Sequence, residues 1–125
     1  RIRVSNKKKI NESLIVTGGP KQASKIKDKI FSEYIKVSHQ VSNIRKFGSA
    51  ALDIAYVACG RFDGYWQREI NIWDIAAGII ILKEAGGFID FFDEDIHFPL
   101  KKNIIASNAN IHEDFKDLLI KKDIE

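Results

Sequence analysis

Residues 47–87 constrain the fold more than any other stretch of this chain. Two apolar segments of helix-forming residues, 49–59 and 74–84, lie on either side of a segment rich in strand formers, 62–70. Gly60 is a natural end for the first helix, because the residue after a helix often adopts the left-handed conformation that glycine tolerates. Both helices are apolar on most sides, so we expect them to be buried in an α/β arrangement.

Each of these helices begins with residues that could take part in chemistry. Gly48 and Ser49 precede the first helix, whose opening N–H groups lack internal partners and lie at the positive end of the helix dipole. A phosphate is a natural ligand for such groups. Asp74 stands at the start of the second helix, and a carboxylate there can bind a hard cation such as Mg²⁺. Ser49 and Asp74 fit ordinary N-caps as well, so local chemistry leaves both interpretations open.

Five short motifs stand in order along the chain. They are Gly-Ser-Ala-Ala-Leu-Asp at 48–53, Ala-Tyr-Val-Ala at 55–58, Gly-Arg-Phe-Asp-Gly-Tyr-Trp at 60–66, Trp-Asp-Ile-Ala-Ala-Gly at 73–78 and Glu-Ala-Gly-Gly at 84–87. Together they resemble the second half of the inositol monophosphatase family, and in particular its bacterial extragenic-suppressor branch. The resemblance implies the C-terminal half of a layered α/β sugar-phosphatase fold, with a mixed sheet flanked by helices.

The resemblance also implies that residues 1–125 are a single domain from a longer protein. In the family, further metal ligands lie upstream in a Glu-Glu segment and an Asp-Pro-hydrophobic-Asp-Gly-Thr motif, and neither pattern occurs here. We therefore expect the N-terminal metal-binding half to be absent and the isolated chain to be inactive. The intact protein would be a Mg²⁺-dependent phosphomonoesterase acting on inositol 1-phosphate or a similar sugar-alcohol phosphate.

The site residues follow from the same resemblance. Backbone groups of Gly48, Ser49 and Ala50 would hold the substrate. Asp74 would bind the metal and lie near the substrate hydroxyls. Arg45 matches a basic position that faces the substrate in the family, although an ordinary surface arginine fits the sequence equally well.

Gln67 departs from the family pattern. The position seven residues before Asp74 is usually a glutamate, whose carboxylate accepts hydrogen bonds from substrate hydroxyls. An amide can still accept one such bond, but without the charge, and we expect Gln67 to line the outer pocket. Glu69 stands two residues further along the predicted strand and hence on the same face. Whether Glu69 takes over the role stays open at this point.

Other elements are predicted from periodicity and turn residues. Apolar side chains repeat at three- and four-residue intervals from Ala23 to Val37, which indicates an amphipathic helix with Pro20 at its first position. The remaining predicted elements are strands at 14–17, 43–47, 88–92 and 103–107, a hairpin tip at 93–95, and a last helix capped by Asn108 or Asn110.

Several side chains are expected to be packed inside. Cys59, the only cysteine, stands in an apolar helical run, so we expect a buried residue with neither a disulfide nor a zinc role. Trp73 is expected to pack at the turn before the second helix, and residues 79–82 to be core. For Asp53, a hydrogen-bonding role in the core fits as well as a chemical one.

Charge and hydropathy exclude some classes of protein. The net charge is +3, and the lysines are scattered in short runs, so a dedicated nucleic-acid module is not indicated. The apolar run 75–82 is far shorter than the roughly 20 residues that span a bilayer. A cytoplasmic location fits the single unpaired cysteine.

Two other functions stay open. The extragenic-suppressor branch is associated with RNA-synthesis machinery, so a non-catalytic regulatory protein that binds this machinery is the alternative. An inactive remnant of an enzyme gene is the third hypothesis. The expected partners are a small-molecule phosphate ester and, since relatives are commonly dimers, a second copy of the protein.

Overall fold

The computed structural model describes residues 1–93 and 100–120, which contain five strands and four helices. The strands are β1 Leu14–Thr17, β2 Asn43–Arg45, β3 Gly64–Asn71, β4 Phe88–Phe91 and β5 Lys101–Ser107. The helices are α1 Lys27–Ser38, α2 Ala50–Ala58, α3 Ile72–Glu84 and α4 His112–Ile120. A single 3-10 turn, Ile10–Glu12, precedes β1.

The strands form one mixed sheet in the order β2-β1-β3-β5-β4. β1 pairs in parallel with β2 and with β3, whereas β5 pairs antiparallel with β3 and β4. The predicted α/β fold with a mixed sheet flanked by helices is confirmed. Because β2, β1 and β3 are parallel, their carboxyl ends lie at one edge of the sheet, where ligands of α/β proteins commonly bind.

The sheet separates two apolar clusters, because successive side chains of a strand point to opposite faces. Ile15 belongs to the cluster that contains Val37 of α1 and Phe115 of α4. Its neighbour Val16 belongs to the other cluster, which contains Ile54 of α2 and residues of α3. Helices α2 and α3 therefore cover one face of the sheet, and α1 and α4 cover the other.

Helices α2 and α3 approach each other closely at Gly78. A Cβ atom on Gly78 would lie 2.9 Å from Ile54 Cγ2, closer than real Cβ contacts. Gly78 permits this approach, whereas the neighbouring small residues Ala76 and Ala77 are exposed. This contact packs the middle of α3 directly against the middle of α2.

Helix α1 begins later than the sequence predicts. The expected start is Pro20, but the helix begins at Lys27, and residues 20–26 form turns. The Ser24 hydroxyl donates to Glu69 Oε1 at 2.6 Å and accepts the N–H of Ile26 at 3.2 Å. Such local side-chain bonds compete with helical hydrogen bonding, which explains the delayed start.

Cys59 is exposed, so the prediction of a buried cysteine is wrong. It is the residue that ends α2, and its Sγ lies 3.5 Å from the carbonyl oxygen of Tyr56 on the surface. Leu52 of the same helix is 41% exposed, so α2 is less buried than its composition predicts. Gly60 adopts φ +82°, which confirms its predicted role after the helix.

The outer face of α3 is also exposed. Trp73, Ile80 and Ile81 have 58%, 62% and 42% of their surface accessible, so their predicted packing is wrong. Ile75 and Leu82 are fully buried on the opposite side of the helix. Because α3 is apolar around most of its circumference, its sequence does not indicate which side faces the sheet.

The end of the chain follows the prediction where it is described. Asn108 Oδ1 accepts the N–H of Ile111 at 2.9 Å, which identifies Asn108 as the capping residue before α4. Of the predicted hairpin tip, Asp93 is described, and positions 94 and 95 lie outside the described residues. Within 1–93 and 100–120, no helix has the length and apolar character needed to cross a membrane.

Candidate functional site

A hollow of about 460 Å³ lies at the carboxyl ends of the parallel strands. Five of the six residues predicted for the site border it. The lining residues are Gly18, Gly19, Lys21, Gly48, Ser49, Ala50, Ala51, Gln67, Ile70 and Asp74. The sheet therefore brings together residues from the loops after β1 and β2, from β3 and from the first turn of α3.

The start of α2 forms one wall of the hollow. Gly48 has φ +79°, a conformation that favours glycine, and Ser49 follows in an extended conformation. The Ser49 hydroxyl accepts the N–H of Leu52 at 3.3 Å, so the capping interpretation is correct. Ala50 and Ala51 open the helix, and their N–H groups belong to the first turn, which lacks internal acceptors. An anion in the hollow would meet the positive end of the helix dipole.

Asp74 lies in the first turn of α3 and does not cap it. The helix begins at Ile72, with Asn71 as the preceding residue. The exposed Asp74 side chain has no hydrogen-bond or ion-pair partner in the part of the chain that the structure describes. Its carboxylate therefore remains available to a ligand in the hollow.

Gln67 is held between Tyr65 and Gly18. The Tyr65 hydroxyl donates a short hydrogen bond to Gln67 Oε1. On the other side, a Cβ atom on Gly18 would lie 2.5 Å from Gln67 Cδ, so the amide contacts the glycine backbone directly. Gln67 thus faces the hollow in a defined orientation.

Asp53 lies behind Tyr65 without a bonded partner. It is fully buried, and neither carboxylate oxygen has a hydrogen-bond partner among the described residues. Of the two roles that the sequence leaves open for Asp53, a hydrogen bond to another core group is not formed among the described residues. Burial raises the pKa of Asp53 from 3.8 to about 6. Burial also raises the pKa of Tyr65, and the negative charge of Asp53 raises it further.

Glu69 does not share a face with Gln67, so that prediction is wrong. A β-bulge interrupts the pairing of β3 with β5 between Gln67 and Ile70, and Glu69 has φ +59°. The Glu69 N–H donates to Asn103 Oδ1 at 2.9 Å. Its side chain lines a separate hollow of about 510 Å³ that contains Lys25. Glu69 is therefore not placed to replace a carboxylate at position 67.

Arg45 does not line the 460 Å³ hollow. It pairs in register with Val16 and lies exposed on the edge strand β2. Gly18, Gly19 and Lys21 also line the hollow, and none of them is among the predicted site residues. The available signal was the glycine pair directly after the buried strand β1, since Gly48 likewise lies in the loop that follows the parallel strand β2.

The described residues supply only part of a metal site. Asp74 is the single carboxylate among the described residues that line the hollow. Across 1–93 and 100–120, no group of three or more His, Cys, Asp or Glu side chains is arranged to hold a metal ion. Mg²⁺ requires about six oxygen ligands, so Asp74 could provide one ligand but not a complete site.

Sequence comparison assigns the chain to a family. The model described as the inositol monophosphatase family matches residues 1–122. The chain belongs to the inositol monophosphatase family. This confirms the resemblance that the five motifs indicate.

Individual members of the family support the assignment. Inositol-1-monophosphatase of Caulobacter vibrioides is 40% identical over 113 residues, covering 90% of this chain and 44% of the relative. Nus factor SuhB of Pseudomonas aeruginosa is 37% identical over 121 residues, covering 95% of this chain and 44% of that relative. The structure of extragenic suppressor protein suhB from Bartonella henselae has a TM-score of 0.85 at 43% identity, covering 99% of this chain and 48% of that one. The chain thus spans less than half the length of these relatives.

Proposed function

We propose that the intact protein is a Mg²⁺-dependent phosphomonoesterase and that residues 1–125 form its C-terminal domain. One observation carries the proposal. The start of α2, Gln67 and Asp74 come from separate segments of the chain and border a single hollow. Membership of the inositol monophosphatase family supports phosphate-ester hydrolysis as the reaction.

The proposed position of the phosphate is the start of α2. The positive φ of Gly48 turns the chain into the helix, and Ser49 occupies only one N–H group through its cap. The N–H groups of Ala50 and Ala51 remain to bind phosphate oxygens, and the helix dipole adds to this attraction. These groups bind and orient the phosphate without changing their own protonation.

Asp74 is the proposed metal ligand within this chain. Its oxygens have no partner among the described residues, and carboxylate oxygen is the ligand type that Mg²⁺ prefers. When bound, Mg²⁺ would supply Lewis-acid polarisation of the phosphate. Because Asp74 lies on the wall of the hollow, it would also accept a hydrogen bond from a substrate hydroxyl, as expected for inositol 1-phosphate or a similar sugar-alcohol phosphate.

The test is phosphate release by the complete gene product, with Mg²⁺ and after its removal by a chelator. We expect metal-dependent release from inositol 1-phosphate and a loss on the order of 100-fold in Asp74→Asn. Asp114→Asn is the matched control, because Asp114 is also the exposed third residue of a helix, α4, but lies away from the hollow. Absence of release, or equal losses in the two variants, would contradict the proposal.

Residues 1–125 alone should be inactive. The described part of the chain offers one carboxylate at the hollow, too few ligands to retain Mg²⁺. The same assay on the isolated chain is the measurement. Metal-dependent release that disappears in Asp74→Asn would disprove this expectation.

A second candidate function is regulatory binding to RNA-synthesis machinery. Two observations favour it: relatives from Pseudomonas aeruginosa and Escherichia coli are named Nus factor SuhB, and they are 37% and 33% identical to this chain. Complementation of a null strain separates the two functions. If catalysis is the essential function, full-length protein with Asp74→Asn should fail to complement the null strain. If binding is the essential function, the same variant should complement it.

We further propose that the intact protein is a cytoplasmic homodimer. The single cysteine is compatible with a reducing compartment, and the resemblance to commonly dimeric proteins suggests the oligomeric state. Light scattering during size-exclusion chromatography would measure the mass of the complete protein. A monomeric mass at micromolar concentration would contradict the dimer.

A further inference from the structure

The hollow contains donor groups that the proposed phosphate position does not use. Gly18 and Gly19 follow β1, and Gln67 lies on the adjacent strand β3. A Cβ atom on Gly18 would lie 2.5 Å from both Cδ and Oε1 of Gln67 and 2.6 Å from Nε2. The whole amide group therefore lies against the Gly18 backbone and forms one wall with it.

The Tyr65 hydroxyl determines which end of this amide can meet a ligand. Tyr65 is fully buried and donates to Gln67 Oε1. If the amide were rotated by half a turn, the buried hydroxyl would face an NH₂ group and lose the acceptor for its proton. The oxygen of Gln67 is thus used inside the protein. The N–H groups of Nε2, which have no partner among the described residues, are left for a ligand.

Lys21 adds a positive charge to the same hollow. Among the described residues that line the hollow, it is the only one with a cationic side chain. No carboxylate within 1–93 and 100–120 forms an ion pair with it. The hollow therefore combines the start of α2, which suits one anion, with an ammonium group and an amide donor from two other segments of the chain.

We propose that Gln67 Nε2 and Lys21 form a second anion subsite, so that the enzyme prefers phosphate monoesters whose organic part carries another anionic group. This inference rests on the proposed phosphatase function and narrows the substrate class of the same site. A hydroxyl group of a neutral polyol gains from an acceptor at position 67, and Tyr65 already takes one of the two acceptor positions of the Gln67 oxygen. An anionic group needs donors only, and charged partners form stronger hydrogen bonds than neutral ones.

The experiment compares matched substrate pairs with the complete gene product and Mg²⁺. Glycerol 2-phosphate and 2-phosphoglycerate differ by a hydroxymethyl group against a carboxylate. Fructose 1-phosphate and fructose 1,6-bisphosphate differ by a second phosphate. We expect kcat/KM to be at least about tenfold higher for the anionic member of one pair. A ratio of this size corresponds to the contribution of one hydrogen bond to a charged group. The pair that responds identifies the second anion as carboxylate or phosphate.

Variants assign the preference to the two side chains. Gln67→Glu places a negative charge in the subsite and should lower the ratio of kcat/KM values by about tenfold or more. Lys21→Gln should lower it several-fold. Lys25→Gln is the matched control, because Lys25 lies in the same connecting segment but lines the other hollow, and it should leave the ratio unchanged.

The outcomes separate this inference from the proposed function. Turnover with a ratio of one or below in both pairs, or a ratio that Gln67→Glu leaves unchanged, would overturn the subsite and leave the phosphatase function standing. If no substrate is turned over, the phosphatase proposal fails. Calorimetric titration of the same four compounds then tests the subsite. Tighter binding of an anionic member that weakens in Gln67→Glu supports the subsite, and equal Kd values overturn it.

Discussion

Asp53 should make the protein less stable as the pH rises. It is fully buried on α2, and its two carboxylate oxygens have no hydrogen-bond partner among the described residues. Ionisation therefore places an unpaired charge inside the protein. Asp53→Asn removes this charge at nearly constant volume, so the difference between variant and wild type reports on the ionisation of one group.

The magnitude follows from the pKa. Burial raises the pKa of Asp53 from 3.8 to about 6, so the folded state holds the proton more tightly than the unfolded state. The free energy of unfolding consequently falls as the pH rises between these two values and stays low above them. At about 1.4 kcal/mol for each pH unit, the whole effect is about 3 kcal/mol, and about 2 kcal/mol of it falls between about pH 4.5 and 7.5.

Urea unfolding of the complete protein measures the effect. The fluorescence of the buried Trp66 provides a signal, and the free energies of wild type and Asp53→Asn are compared at several pH values. All other titrating groups contribute equally to both proteins and cancel in the difference. We expect the variant to gain about 2 kcal/mol relative to wild type between about pH 4.5 and 7.5.

Parallel curves for the two proteins would refute this reasoning. They would mean that the Asp53 carboxylate finds a partner or water that lowers its pKa again. Asp117→Asn is the control, since Asp117 is an exposed aspartate on α4. The free energy of unfolding of Asp117→Asn should run parallel to that of wild type as the pH changes. This result would show that removing an exposed carboxylate does not reproduce the effect of Asp53→Asn.

Three further variants test the packing around the site. Gly78→Ala should lower the free energy of unfolding in urea by about 1–3 kcal/mol, because the new Cβ would lie 2.9 Å from Ile54 Cγ2. Glu33→Gln should cost about 1.5–3 kcal/mol in the same assay, since the buried Arg68 loses one of its two carboxylate partners and keeps Asp93. Ser49→Ala should cost about 1 kcal/mol in thermal unfolding, because its hydroxyl caps α2. A loss below 0.3 kcal/mol in any of the three would contradict the role given to that residue.

Features fixed by a few consecutive residues could be predicted from the sequence. Ser49 and Asn108 cap helices, and Gly60 adopts the left-handed conformation after α2. Each of these is decided by the geometry of one helix end, which the neighbouring residues largely determine. Local chemistry indicates Gly48 and Asp74 as candidates but also leaves ordinary helix starts open. The family resemblance adds that the two helix starts belong to one site.

The sequence does not predict which side of a helix faces the sheet or which loop residues reach the hollow. The sequence of α3 is apolar around most of its circumference, and the structure alone distinguishes the buried Leu82 from the exposed Ile80. Lys21 was missed because a lysine near a turn is usually a surface residue. Its position at the hollow depends on the parallel pairing of β1 with β2 and β3.

The bulge in β3 explains why Gln67 and not Glu69 faces the hollow. Gln67 pairs with Ile104 and Ile70 pairs with Lys102, so β3 contains one residue more than β5 over this interval. The extra residue shifts the alternation of the strand. Ile70 therefore returns to the face of Gln67, and both residues line the hollow. Since α3 begins directly after β3, the same shift sets where its first turn, and with it Asp74, lies relative to Gln67. A strand without the extra residue would place Glu69 on the Gln67 face and turn the start of α3 away from it.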